Sequence, residues 1–143
     1  MSSEWNHASW VSTLGKFAWL IGLINGILGI LWGLFTAISA AAIPFGLGAS
    51  LVGWGIWIII GGILTAVISV VIILPKFSSK CAAKDWDSLY GWTLKLGSTK
   101  IPWMLIWGIF LEIFSWWWWG GIAVLLPALF LIFAGPKPYD WKS

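Results

Sequence analysis

FAWLIGLINGILGILWGLFTAISAAAIPFGLGASLVGWGIWIIIGGILTAVISVVIILP, residues 17–75, is a run of 59 residues without Asp, Glu, Lys or Arg, bounded by Lys16 and Lys76. A hydrocarbon core about 30 Å thick takes about 20 apolar residues per helix, so this run holds two crossings. Pro44, which has no amide proton and a fixed φ, divides them. The connection Pro44-Phe45-Gly46-Leu47-Gly48 carries no charge. Pro75 and Lys76 close the second crossing.

A second charge-free run of 24 residues extends from Ile113 to Pro136, and the stretch from Ile101 to Ala134 has room for two shorter spans. The expected fold is an all-α integral membrane protein, a four-transmembrane-helix bundle of two helical hairpins. Residues 1–143 are expected to form a single membrane domain with spans near 14–43, its apolar part starting at Leu14 or, past Lys16, at Phe17, and near 49–74, 101–115 and 120–134. Residues 76–100, KFSSKCAAKDWDSLYGWTLKLGSTK, are the one sizeable polar connection. Their mixture of Trp, Leu, Lys and Asp reads as a short amphipathic segment at the interface between spans two and three.

The composition agrees: 60% of the residues are hydrophobic and 9% charged, against about 25% charged in ordinary soluble domains. The N-terminal residues lack the basic start and small-residue cleavage site of a secretory signal, so the first span is expected to be retained. The eight lysines fall one before span one, five between spans two and three, and two after span four. Basic residues favour the cytoplasmic side, so a multi-pass protein with cytoplasmic N- and C-termini follows. Only Glu112 stands apart from that side. The lysines form no tract that could follow a phosphate backbone, so no nucleic-acid partner is expected.

Small residues recur along both long spans. Gly15, Gly22, Gly26, Gly29 and Gly33 share one arc of span one, and Gly48, Gly55 and Gly62 follow at intervals of seven in span two. Lipid tails are as apolar as leucine, so membrane helices associate by close backbone approach at small residues. The stripes therefore serve either packing of spans one and two or contact with a second copy. The expected partners are membrane lipids and a homo-oligomer or other membrane subunits.

Glu112 is the one ionisable residue within a span, a possible ion or proton site because charge in hydrocarbon is costly. Its nearness to Trp116 allows a structural role as a neutral, hydrogen-bonded carboxyl. Of fifteen tryptophans, Trp103 is expected to anchor the inner interface and Trp116, Trp117, Trp118 and Trp119 the outer one. The lone Cys81 forms no internal disulfide, and its lysine-rich setting permits palmitoylation as well as an idle thiol. His7, near Glu4, has too few companions for a metal site and is expected to be exposed in an N-terminal turn. No phosphate loop, nucleophile elbow or CxxC is present. Neither enzyme activity nor a cofactor other than bound lipid is expected.

The leading functional expectation is a structural or assembly role, as a self-associating building block or an accessory subunit. One rival is an oligomeric channel or small transporter that uses Glu112. Another is a membrane-shaping protein, since two long and two short spans need not occupy equal area in both leaflets.

Overall fold

A computed structural model describes residues 5–142. The chain is mostly helical, and its long hairpin is the tallest feature. The first leg joins α1 (Ala8–Lys16) to α2 (Ala18–Ala41) through a small offset at Phe17. The second leg begins with α3 (Ala49–Ile68) and continues as a π-helical stretch, Ser69–Ser78, into α4 (Ser79–Ala82). Each leg is 34 residues long and apolar enough to cross a membrane by length and composition. At 1.5 Å per residue each measures about 51 Å.

Pro75 does not close the second leg. It lies inside the π-helical stretch, where the widened register accommodates its missing N–H and the bulk of its ring. The helix passes Lys76 and Lys80 and ends only after Ala82. At the opposite tip, Phe45 and Gly46 take left-handed φ values of 62° and 69° to turn the chain.

The segment between the hairpins contains more than an interfacial helix. α5 (Trp86–Gly91) is capped by Asp85, whose carboxylate accepts from the Ser88 backbone amide at 3.3 Å and hydroxyl at 2.6 Å. Two short strands follow, β1 (Thr93–Leu96) and β2 (Thr99–Pro102), antiparallel with Leu94 opposite Ile101 and Leu96 opposite Thr99. Gly97, at φ 60°, supplies the turn. The C-terminal residues join this ribbon: the Lys100 amide donates to the Trp141 carbonyl at 2.7 Å, and Thr99 bridges Lys142.

The short hairpin consists of α6 (Trp103–Phe114) and α7 (Ile122–Ala134). Ile101 and Pro102, expected in span three, belong to β2, and Pro102 caps α6 from outside. Pro127 lies buried within α7 without ending it. Between the helices, Trp117 and Trp118 take left-handed φ values of 54° and 58°, a region that bulky residues seldom occupy.

The core sits at one end. Val11, Ile73, Phe77, Leu89, Met104, Leu111, Val124 and Leu131 are fully buried where α1, the π-helical stretch, α5, α6 and α7 converge. From Trp19 to Val67, by contrast, no buried residue is larger than Asn25 or Thr65. Over that length α2 and α3 bury little besides glycine and point their large side chains outward, including Leu31, Phe35, Ile38, Trp54 and Val67.

Candidate functional site

The glycine stripes of α2 and α3 face each other. A Cβ placed on Gly26 would lie 2.5 Å from the Gly62 carbonyl oxygen and 2.7 Å from the Ala66 amide. One on Gly33 would lie 2.7 Å from the Gly55 oxygen, and one on Gly62 2.6 Å from the Gly26 oxygen. Gly55 meets Ala37 in the same way, while Gly22 packs on Ser69, Gly15 on Cys81 and Gly48 on Ala40. Gly29 faces Trp116 of the short hairpin as well as Gly62, at 3.2 Å from the Trp116 Cβ and 3.6 Å from the Gly62 Cα. These positions are thus occupied by contacts within one chain.

The two hairpins meet at a polar layer built around Asn25, a residue that the sequence reading passed over. Its side chain is fully buried, donates from Nδ2 to the Trp116 carbonyl at 2.8 Å and accepts at Oδ1 from the Trp116 amide at 3.0 Å. Both backbone polar groups of Trp116 are thereby satisfied, as a non-helical turn in an apolar setting requires. Next to it, Ser115 Oγ accepts from the Gly120 amide at 3.1 Å. Gly120 has no room for a side chain, since its Cβ would meet Ser115 and Asn25 at 2.6 and 2.8 Å.

Glu112 lies beside this layer, packed against the start of α7, where a Cβ on Gly121 would lie 2.6 Å from the Glu112 amide nitrogen. Its Oε1, Ser69 Oγ and the Trp116 indole nitrogen are buried atoms that have no hydrogen-bond partner among the described residues. Thr65 donates to its own helix, to the Gly61 carbonyl at 2.7 Å.

The contact of Trp116 with Asn25 and Gly29 fixes the height of the short hairpin. Ala41, the end of α2, lies 12 residues beyond Gly29, or about 18 Å further along the helix. Within that gap, Trp32, Trp54 and Trp57 of the long hairpin and Phe114, Trp117 and Trp118 of the short one bound a cleft of 290 Å³. Trp32 lies 6.2 Å from Trp116 and Trp57 lies 5.5 Å from Phe114, centroid to centroid. Trp119 closes the turn against Trp116 at 6.5 Å, and Trp103, at the other end of α6, stacks on Trp107 at 5.9 Å.

The lysine-bearing end is tied together by aromatic and polar contacts. The Trp5 indole donates to the Ala134 carbonyl at 2.7 Å, and the Trp10 indole to His7 Nδ1 at 2.9 Å. His7 is half-buried between Trp5, Trp10 and Phe130, with ring centroids 5.1 to 5.8 Å away, so it is not the exposed residue that its position suggests. Glu4 lies outside the described residues. The Tyr90 hydroxyl donates to the Leu131 carbonyl at 2.5 Å, and Lys137 pairs with Asp87 at 2.5 Å. Burial raises the Tyr90 phenol above its ordinary pKa, whereas the Ser88 hydrogen bonds hold the Asp85 carboxyl below the usual carboxylate range. Cys81 is fully buried against Gly15, which leaves its sulfur without access for acylation in the folded state. Among the described residues no group of three or more His, Cys, Asp or Glu side chains comes together to hold a metal ion.

The arrangement therefore offers a satisfied turn, a lone carboxyl and an aromatic cleft. No protein-family model, curated protein or solved structure matches the chain.

Proposed function

We propose that this chain is a structural, non-enzymatic membrane protein that acts as an asymmetric wedge, filling more of one leaflet than of the other. The observation that carries the reading is the height of the Trp116 turn, which stops against Asn25 and Gly29 while α2 and α3 continue alone to Pro44.

Membrane insertion of the long hairpin is supported by its surface. Only 28% and 33% of the most apolar stretch of each leg is buried, which leaves an apolar outer face too extensive for contact with water. The sequence suggests four crossings, and the geometry favours two crossings with a re-entrant hairpin. α6 and α7 contain 12 and 13 residues, about 18 and 20 Å, short of a hydrocarbon layer of about 30 Å. Measured from Lys16, the contacts at Asn25 and Gly29 lie 9 and 13 residues along the helix, or about 14 to 20 Å. The turn then lies near the bilayer centre, with its backbone buried in protein, the condition under which irregular backbone is tolerated at that depth.

The leaflet on the lysine side, cytoplasmic by the distribution of basic residues, accommodates both hairpins. The other accommodates α2 and α3 alone. Two additional helices, each about 10 Å across, add roughly 150–200 Å² of cross-section to one leaflet. Reconstitution at increasing protein-to-lipid ratio, with vesicle diameter read by electron cryomicroscopy, tests the proposal. Diameter falling with protein density is the expected result, and diameter independent of density sinks it.

A further inference from the structure

We propose that the cleft beyond the short hairpin is a lipid-chain site, which takes one acyl chain of a phospholipid from the leaflet opposite the lysines. The inference deepens the wedge proposal and rests on the short hairpin ending inside the bilayer.

The space is enclosed on three sides. Trp32 stands on α2, Trp54 and Trp57 on α3, and Phe114, Trp117 and Trp118 form the floor. Above that floor the two long helices run on without the short pair, so whatever fills the cleft enters from the far leaflet. Size narrows the occupant. A volume of 290 Å³ lies at the lower edge of small-ligand pockets, about 300–1,000 Å³, and is too small for a helix about 10 Å across. A segment of a slender flexible chain fits, with the rest of the chain extending through the open side.

The chemistry of the wall narrows it further. Among the described residues no charged side chain lines the cleft; its polar groups are the Ser115 hydroxyl, already engaged by the Gly120 amide, and neutral indole N–H donors, the buried and unpartnered Trp116 nitrogen among them. A headgroup or an ion would therefore give up its hydration with no countercharge in return, only single neutral indole donors. A hydrocarbon chain loses nothing polar and gains close contact with indole and phenyl faces, where the alternative is a void that forfeits dispersion on one side. The exposed Trp117 and Trp118 rings, at 69% and 68%, rest on left-handed backbone. The turn thus presents two large flat side chains toward the cleft's open side.

The test uses the full chain in phosphatidylcholine vesicles that contain a trace of phosphatidylcholine with a photoactivatable diazirine midway along one acyl chain. Adducts are expected to concentrate on Trp54, Trp57 and residues 114–118 and to be displaced by unlabelled lipid. Ile58→Trp and, from the facing wall, Ile113→Trp each narrow the cleft and are expected to cut these adducts at least fivefold. Adducts at Phe35 and Ile38, on open lipid-facing surface, should be unchanged in both. Because the two substitutions lie on different helices, loss of folding in one leaves the other as the test. Adducts equally dense on Phe35, Ile38 and the cleft would overturn the proposal, as would cleft labelling unaffected in a folded variant. Labelling of the cleft by a probe with its diazirine on the headgroup would overturn the assignment to a chain. Far-side labelling of Trp117→Cys by a membrane-impermeant maleimide would sink the depth of the turn alone, so the two failures are distinguishable.

Discussion

Replacing Gly26 by alanine inserts one methyl group where the helices of the long hairpin touch. The added Cβ would stand 2.5 Å from the Gly62 oxygen and 2.7 Å from the Ala66 amide nitrogen. Ordinary contacts lie near 3.5–4.0 Å, so α2 and α3 must separate by about 1 Å. Overpacking costs about 1–3 kcal/mol, and the obstructing atoms here belong to backbone, which cannot move aside by changing rotamer. The upper part of that range applies, about 2–3 kcal/mol. Gly53→Ala in α3 is the matched control, because nothing lies within 4 Å of its added methyl group. It shares whatever alanine gains over glycine in a helix, about 0.5–1 kcal/mol, without the collision. Unfolding in mixed micelles titrated with sodium dodecyl sulfate should therefore place Gly26→Ala about 2–3 kcal/mol below Gly53→Ala. Equal stabilities, within about 0.5 kcal/mol, would refute a close backbone approach at this position.

Three further outcomes follow from named contacts. Asn25→Leu leaves the amide and carbonyl of Trp116 unpaired in an apolar layer; it should cost about 2 kcal/mol by the same titration and accelerate hydrogen exchange at the Trp116 amide, whereas unchanged exchange would show that the clamp does not hold the turn. Cys81, buried beneath Gly15, should react with a small maleimide only upon unfolding, and rapid labelling of the native protein would contradict its placement. The Asp85 carboxyl is lowered mainly by the Ser88 side-chain hydrogen bond, so its contribution to α5 is present above the unfolded pKa and is lost as pH falls below about 4 toward the lowered folded value; the Ser88 amide should become less protected in that window, and protection independent of pH would remove Asp85 as the cap.

The long hairpin was legible because its signal is additive: 59 residues without an ionisable carboxylate or cationic side chain allow few structures other than paired apolar helices. The regularity of the glycines was legible too, as a spacing of three, four and seven. Their partners were not, because Gly29 lies in the same stripe as Gly26 yet also faces Trp116 of the other hairpin. Pro75 misleads because proline ends an α-helix, whereas the π-helical register carries the chain through it. Ile101 and Pro102 read as the start of a span because both are apolar, yet pairing of Leu94 with Ile101 draws them into a strand.

The tryptophan quartet and Asn25 illustrate a different limit. Indole favours the interface on average, the ground on which Trp116 is expected at the outer boundary. Its position against the long hairpin is set by two hydrogen bonds to a side chain 91 residues away, a pairing that no local pattern encodes. A single amide in a run this apolar was the available signal, since a polar side chain there needs a partner and a backbone turn at the same depth needs the converse.

The depth of the Trp116 turn is tested most directly by sided labelling of single cysteines in a Cys81→Ser background, using sealed vesicles and an impermeant maleimide. The expected pattern is Phe45→Cys labelled from one side only, Lys80→Cys and Lys142→Cys from the other side only, and Trp117→Cys from neither. Labelling of Trp117→Cys from the same side as Phe45→Cys would mean that the short hairpin crosses the bilayer completely, and the wedge would have no basis.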